Sequence, residues 1–304
     1  MFENSVTEIQ KIVGLVQAHG QPKMRMKATL LQVYHLALHN NVVIARDLLK
    51  KTHIGQMIQM QAIDNQILYN RALAQIGMAY FRLGCIPQSH EVLVEIFQNM
   101  RFRELLAQGI SKQHFDKSAE QEAEEKRRLI PAHMAINLQT LESTHYITSM
   151  LIEIPQLSEN QHSMNKTVVS RQYRRLIELY DNKQAFVLAA EMSKDHIVFA
   201  ARALNKSDWQ SALEHIYSIK AITRMPEFEN GFLQKTLDEA FKTAAMVSFL
   251  FRASKTYRSF SFEHLSSFFD LDSKVVKKVV SKLILQSRLQ AKIDLTNNLL
   301  LLEQ

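Results

Sequence analysis

Seven glycines and five prolines in 304 residues narrow the folds open to this chain more than any motif it carries. An average chain of this length would hold roughly 21 glycines and roughly 15 prolines. Glycine supplies positive φ and proline punctuates turns, so a β-sandwich or barrel, with a turn about every 8–12 residues, draws heavily on both. A mainly α fold is expected, and an all-β fold is excluded.

The glycines stand at 14, 20, 55, 77, 84, 109 and 231, no two within five residues of each other. Dinucleotide and P-loop phosphate cradles both need clustered glycines so that backbone N–H groups can approach phosphate at a helix N-terminus. Neither can be written from this chain. Cys85 is the only cysteine, which excludes an intramolecular disulfide or a cysteine-rich zinc site and fits a reducing compartment. The opening MFENSVTEIQK carries Glu3 and Glu8 where a secretion signal is basic and then apolar. The most apolar run, Ala244 to Phe251, is far short of the ~20 residues that span a bilayer. A soluble, cytoplasmic protein is expected. The net charge of +7 is compatible with a polyanionic partner without requiring one.

Helical periodicity recurs as far as residue 253, and 1–253 is read as a helical-repeat domain with a charged connection near 112–128. From Met24 an apolar stripe runs through Ala28, Leu31, His35 and Leu38 in steps of three and four, which marks an amphipathic helix. Asp64 is the expected N-cap of a further helix through Ile67, Leu68, Leu73, Ile76, Met78 and Phe81. Gly84 ends it in the left-handed conformation and Pro87 opens the next. Ile76, Gly77 and Tyr80, then Gly84, Ser89 and Leu93, sit where a tetratricopeptide-like hairpin places its interlocking residues, and this pair resembles one. A second hairpin is expected from His196 to Leu204, the turn Asn205 to Asp208, and Trp209 to Ile219. The two do not repeat at a fixed period, so irregular helical pairs stacked as a solenoid are expected. Pro131 opens an apolar-periodic segment to Glu153, closed by Pro155, and Leu157 to Asn165 reads as a loop.

The last fifty residues change character. Tyr257 to Phe262 alternates as a strand. Glu263 to Phe269 fits a short helix with Leu265, Phe268 and Phe269 inward. Asp272 caps a helix to about Gln286, with Val275, Val276, Val279, Val280, Leu283 and Ile284 along one side. Arg288 to Asp294 alternates again, Thr296 to Asn298 turns, and Leu299 to Glu303 returns as a strand. Strand, helix, helix and closing hairpin in this order make a winged helix, 254–304.

Candidate contact residues are basic. Lys274, Lys277 and Lys278 point away from the apolar stripe of the last helix, where a nucleic-acid-reading winged helix carries its recognition surface. That helix has no arginine and no interleaved aromatic residue. A solvated or protein-contacting face is therefore the first reading, RNA backbone contact the second, and sequence-specific DNA reading the last. Arg171, Arg174 and Arg175 surround Tyr173, which could stack on a base or a partner. His35 and His39 have metal-ligand spacing, but no neighbouring carboxylate or cysteine completes a set. HExxH is absent and no nucleophile–base constellation can be nominated. Trp209, Tyr80, Phe81, Phe241, Phe249 and Phe251 read as core, and Cys85 as packed. No enzyme, cofactor or metal is expected.

Helical hairpins followed by a C-terminal winged helix resemble the PCI domain shared by scaffold subunits of the proteasome lid, the signalosome and eukaryotic translation initiation factor 3. The stretches from Lys23 to Leu49, Gln66 to Gly84, Arg103 to Ile110, Glu125 to Glu142, Met150 to Pro155 and Phe268 to Asp294 resemble the C-subunit family of that initiation factor. The resemblance implies a noncatalytic scaffold that associates through its winged helix with subunit a and other PCI subunits and binds the small ribosomal subunit. The edge of the closing hairpin, with Arg288, Gln290 and Lys292, suits such an association, because an unpaired strand edge offers ladder hydrogen bonds. Family members carry a long charged N-terminal region before this core, and here about twenty residues precede the match; the chain reads either as a reduced, divergent member or as an excised fragment, and functions placed on that region do not carry over with the resemblance. The alternatives are a PCI scaffold of the proteasome lid or signalosome, and an RNA-binding adaptor acting through the winged helix.

Overall fold

The computed structural model describes residues 2–98, 101–110, 119–159, 170–182, 189–294 and 296–302. Its elements are α1 (Phe2–His19), α2 (Pro22–Leu38), α3 (Val42–Lys51), α4 (Ile54–Met57), α5 (Ile63–Arg82), α6 (Ile86–Phe97), α7 (Phe102–Leu105), α8 (Ala119–Arg128) and α9 (Leu138–Glu159). They continue with α10 (Arg171–Asn182), α11 (Ser193–Asn205), α12 (Trp209–Tyr217), α13 (Lys220–Thr223), α14 (Pro226–Glu229) and α15 (Phe232–Ala253). The chain ends in β1 (Ser259–Ser261), α16 (Phe262–Phe269), α17 (Ser273–Leu285), β2 (Ala291–Asp294) and β3 (Leu299–Leu302). The fold is mainly α with a small terminal sheet, as the glycine and proline scarcity implies. Two compact units form, Met1–His145 and Tyr146–Gln304. The change of secondary structure after Ala253 falls inside the second.

In the first unit α2, α5 and α6 pack in sequence, and Val33, Leu36, Ala72, Ile76, Ala79, Leu93, Ile96 and Phe97 form the core. The α5–α6 hairpin turns at Gly84, with φ of 74°, and Pro87 stands in the first turn of α6. α5 starts one residue before the expected cap, so Asp64 lies within its first turn. Gly77 faces Leu93: a Cβ there would lie 2.5 Å from Leu93 Cδ2. Beside it, Ser89 Oγ donates to the Gly77 carbonyl at 2.8 Å. The His145 ring, fully buried, lies parallel on Phe97 with centroids 4.2 Å apart. Burial and nearby His90 hold its pKa down to about 3.

The apolar stripe expected on α2 faces outward. Met24, Leu31 and Leu38 are 54%, 51% and 46% exposed, while Thr29, Leu30, Val33, Leu36 and Ala37 are buried. The helix is apolar on two sides, so spacing alone does not choose between them. Packing selects the side on which Thr29 is satisfied, accepting from Gln17 Nε2 at 2.9 Å and donating to the Arg25 carbonyl at 3.0 Å. Pro155 also departs from expectation. It lies inside α9, which continues to Glu159, although a proline inside a helix removes one N–H bond of the ladder and crowds the preceding turn. Leu157 to Glu159 are thus helical, and the remainder of the expected loop lies outside the described residues. So do residues 112–118 of the charged connection, whose remainder is α8.

In the second unit α11 and α12 form the second expected hairpin, with Asp208 capping α12 by accepting from Ser211 N–H at 3.1 Å. α15 packs on both and on α16. The winged helix follows the expected order. Its strands form an antiparallel sheet of order β1–β3–β2, with Ser259 opposite Leu301 and Lys292 also opposite Leu301. β3 is central, so it offers no free edge; of the closing hairpin only β2 is an outer strand. Asp272 caps α17 as expected. Phe262, Leu265 and Phe269 take the inner face of α16, three and four residues apart, which leaves Phe268 54% exposed instead of inward.

Candidate functional site

Lys274 and Lys278 lie one turn apart on the exposed side of α17, opposite buried Val276, Val280 and Leu283. Lys282, exposed another turn on, extends the row. Its i, i+4 spacing from Lys278 is the signal that marks it in the sequence. Lys277 does not join them. It is half-buried, with Nζ 5.5 Å from the Phe262 ring centroid, a cation–π packing contact inside the winged helix.

The arginines stand on α10, whose N-terminus is built by a buried carboxylate. Glu153 of α9 accepts the Ser170 N–H at 2.7 Å, and Ser170 Oγ accepts the Tyr173 N–H at 3.3 Å. Burial raises the Glu153 pKa to about 7, against the opposing pull of the Ser170 N–H and of Arg174. Arg171 and Arg175 are exposed, and Arg174 pairs with Glu178 at 3.3 Å. Tyr173 is 3% exposed, so it packs in the interior rather than offering its ring to a base. The expectation failed because successive helical residues point about 100° apart, so Tyr173 shares a face with neither Arg171 nor Arg174, and its own direction is the core.

At the wing, Gln290 and Lys292 are exposed on and beside the outer strand β2. Arg288 is not beside them. Its Nε donates to Glu159 Oε2 at 3.0 Å and its guanidinium lies 5.6 Å from the Phe251 ring centroid, tying the base of the wing to α9 and α15. The turn between β2 and β3 depends on Asp294, which the sequence did not single out. Its Oδ1 accepts from Thr296 N–H at 2.9 Å and its Oδ2 from Asn297 Nδ2 at 2.8 Å, holding its pKa down to about 2. The Asp-x-Thr-Asn spacing is the available signal, an Asx-turn signature.

The other candidate residues are structural. His35 and His39 have ring centroids 4.6 Å apart, and His35 Nε2 lies 3.3 Å from Ser5 Oγ. Phe81, Phe241 and Phe251 are buried, whereas Tyr80, Phe249 and Trp209 are half-buried. Lys242 Nζ lies 4.7 Å from the Trp209 ring centroid. Among the described residues no helix is long and apolar enough to cross a membrane.

The family model described as "Eukaryotic translation initiation factor 3 subunit 8 N-terminus" matches residues 2–164, more than half of the chain. The chain belongs to the C-subunit family of eukaryotic translation initiation factor 3. The PCI domain model matches residues 233–304, which is α15 together with the winged helix. The chain is similar to the C-subunit of eukaryotic translation initiation factor 3 from Mycosarcoma maydis, 38% identical over 290 residues, which cover 93% of this chain and 32% of that protein. The relative of the same name from Neurospora crassa is 38% identical over 274 residues, 89% of this chain and 31% of the relative. That of Phaeosphaeria nodorum is 36% identical over 293 residues, 95% and 34%. The chain thus spans about a third of the length of the relatives it matches.

Proposed function

We propose that the chain is a noncatalytic scaffold subunit of the eukaryotic translation initiation factor 3 complex, acting in the cytoplasm. Its winged helix joins other PCI subunits, subunit a first among them, and the assembly binds the small ribosomal subunit. The observation that carries this reading is the ordered pair of family matches, initiation-factor helices at 2–164 and a PCI domain at 233–304. The outer strand β2 supports it physically, with Gln290 and Lys292 beside ladder groups that a neighbour's strand can complete. Functionally the division falls at 253/254: helices 1–253 hold position, and the winged helix 254–304 decides association.

Purification of the tagged chain from native cells, with identification of what accompanies it, tests the reading. Other initiation factor 3 subunits and small-subunit proteins are expected. Recovery of proteasome-lid or signalosome subunits without them refutes it in favour of the alternative scaffolds.

A second reading, RNA backbone contact, is favoured by the row Lys274, Lys278 and Lys282 and by exposed Arg171 and Arg175. Phosphate contacts release counterions, so glutamate at 274, 278 and 282 should weaken RNA binding and flatten its salt dependence. Unchanged affinity removes α17 as the RNA site.

A further inference from the structure

The outward stripe of α2 is too regular to be incidental. Met24, Ala28, Leu31, His35 and Leu38 step by four, three, four and three, which is the a/d pattern of a heptad over about 21 Å of helix. Isolated exposed apolar side chains are ordinary, but a seam with a 3.5-residue period is matched by another α-helix and not by a strand, whose period is two. The inner face of α2 is already committed to the core, and Ala28 and His35 of the seam are half-buried, His35 beside Ser5 of α1, which leaves Met24, Leu31 and Leu38 outside this unit's own packing.

Charge says what kind of helix fits. From Ile9 to Arg46 there is no Asp or Glu, while Lys11, Lys23, Arg25, Lys27 and Arg46 give +5. Arg25 and Arg46 are engaged, Arg25 Nε with the Gly20 carbonyl at 2.8 Å and Arg46 with Glu91 at 2.9 Å. Lys23 and Lys27 remain beside the first half of the seam, and α2 has no acidic residue in its first turn. A second copy of this chain would bring lysines toward lysines. A lipid surface calls for a broader apolar face with interfacial aromatic residues, and this seam has three large apolar side chains in a single row.

We propose that α2 docks an amphipathic helix of a partner protein, whose apolar a/d seam is bordered by Asp and Glu. Nothing in this depends on the winged helix or on which complex the chain joins.

The test uses the full chain and a fluorescent four-heptad peptide with Leu at a and d and Glu at e and g, compared with a twin carrying Lys at e and g. Anisotropy should show the acidic peptide binding about tenfold or more tighter than the twin, as expected where charge complementarity selects the partner. Leu31→Gln and Met24→Gln should each weaken it by about tenfold. Both side chains are half-exposed, so the thermal unfolding of the two variants should match the parent. The proposal is overturned if the two peptides bind alike, if neither binds, or if neither variant changes the affinity. It is equally overturned if these variants instead abolish binding to phosphatidylserine vesicles, or abolish a dimer of the chain seen in sedimentation.

Discussion

Replacing Gly77 by alanine sets two effects against each other, and the geometry of the α5–α6 hairpin says which wins. Alanine in a helix interior is favoured over glycine by about 0.8–1.0 kcal/mol. The added methyl, however, would sit 2.5 Å from Leu93 Cδ2 and 2.6 Å from Leu93 Cγ. Leu93 is fully buried in the core, so the clash is not relieved by swinging a free end into solvent. Overpacking of this kind costs about 1–3 kcal/mol, leaving Gly77→Ala destabilising by roughly 1 kcal/mol, or roughly 3 °C in Tm. A double-mutant cycle isolates the contact. Leu93→Ala alone should cost about 2–5 kcal/mol, and in the Gly77→Ala background about 1–2 kcal/mol less, because the new methyl occupies part of the cavity. Urea unfolding followed by circular dichroism measures all four proteins. If Gly77→Ala is as stable as the parent, or the two substitutions add without coupling, the interlocking of Gly77 with Leu93 is not what shapes this hairpin.

The units should respond oppositely to pH. Glu153 has its folded pKa raised from the ordinary value of 4.5 to about 7, so its contribution is full below 4.5 and is lost as pH rises toward 7. Glu153→Gln, which keeps an acceptor for Ser170, should raise stability at pH 8 by roughly 2 kcal/mol; Trp209, the only tryptophan, lies in the same unit and reports this by fluorescence. His145, lowered from 6.5 to about 3, contributes fully above 6.5 and loses its contribution as pH falls toward 3. His145→Leu should flatten that acid dependence in thermal melts, and an unchanged slope assigns it elsewhere. Leu289, 4% exposed at the base of the wing, should not tolerate a charge: Leu289→Asp should cost about 3 kcal/mol or more and open residues 254–304 to limited proteolysis or release neighbouring subunits.

Much of the fold can be read from local chemistry. Gly84, Pro87, Asp208 and Asp272 mark turns and helix starts because caps and positive φ are properties of a few adjacent residues. The winged helix is legible for the same reason, in that strand alternation and helix periodicity are each local. Of the candidate site, Lys274 and Lys278 emerge on an open helix face as periodicity implies. Lys277, Tyr173 and Arg288 do not, since each is claimed by a distant group: the Phe262 ring, the interior, and Glu159.

Composition and spacing by themselves determine that this chain is helical, that it lacks clustered glycines for phosphate, and that it ends in a β-wing whose helices are cued by Asp272 and an apolar stripe. They do not determine which side of a two-faced helix is buried. On α2 the stripe Met24, Leu31, Leu38 and the stripe Leu30, Val33, Ala37 are both apolar at helical spacing, and only packing against α5 and a hydrogen-bonded Thr29 chooses between them. Strand order is the same kind of decision. That β3 lies between β1 and β2 follows from which strands pair across the domain, and it leaves β2, alone in the closing hairpin, with an edge to offer. Periodicity is a property of one segment; burial and pairing are relations between segments, and tertiary structure supplies them.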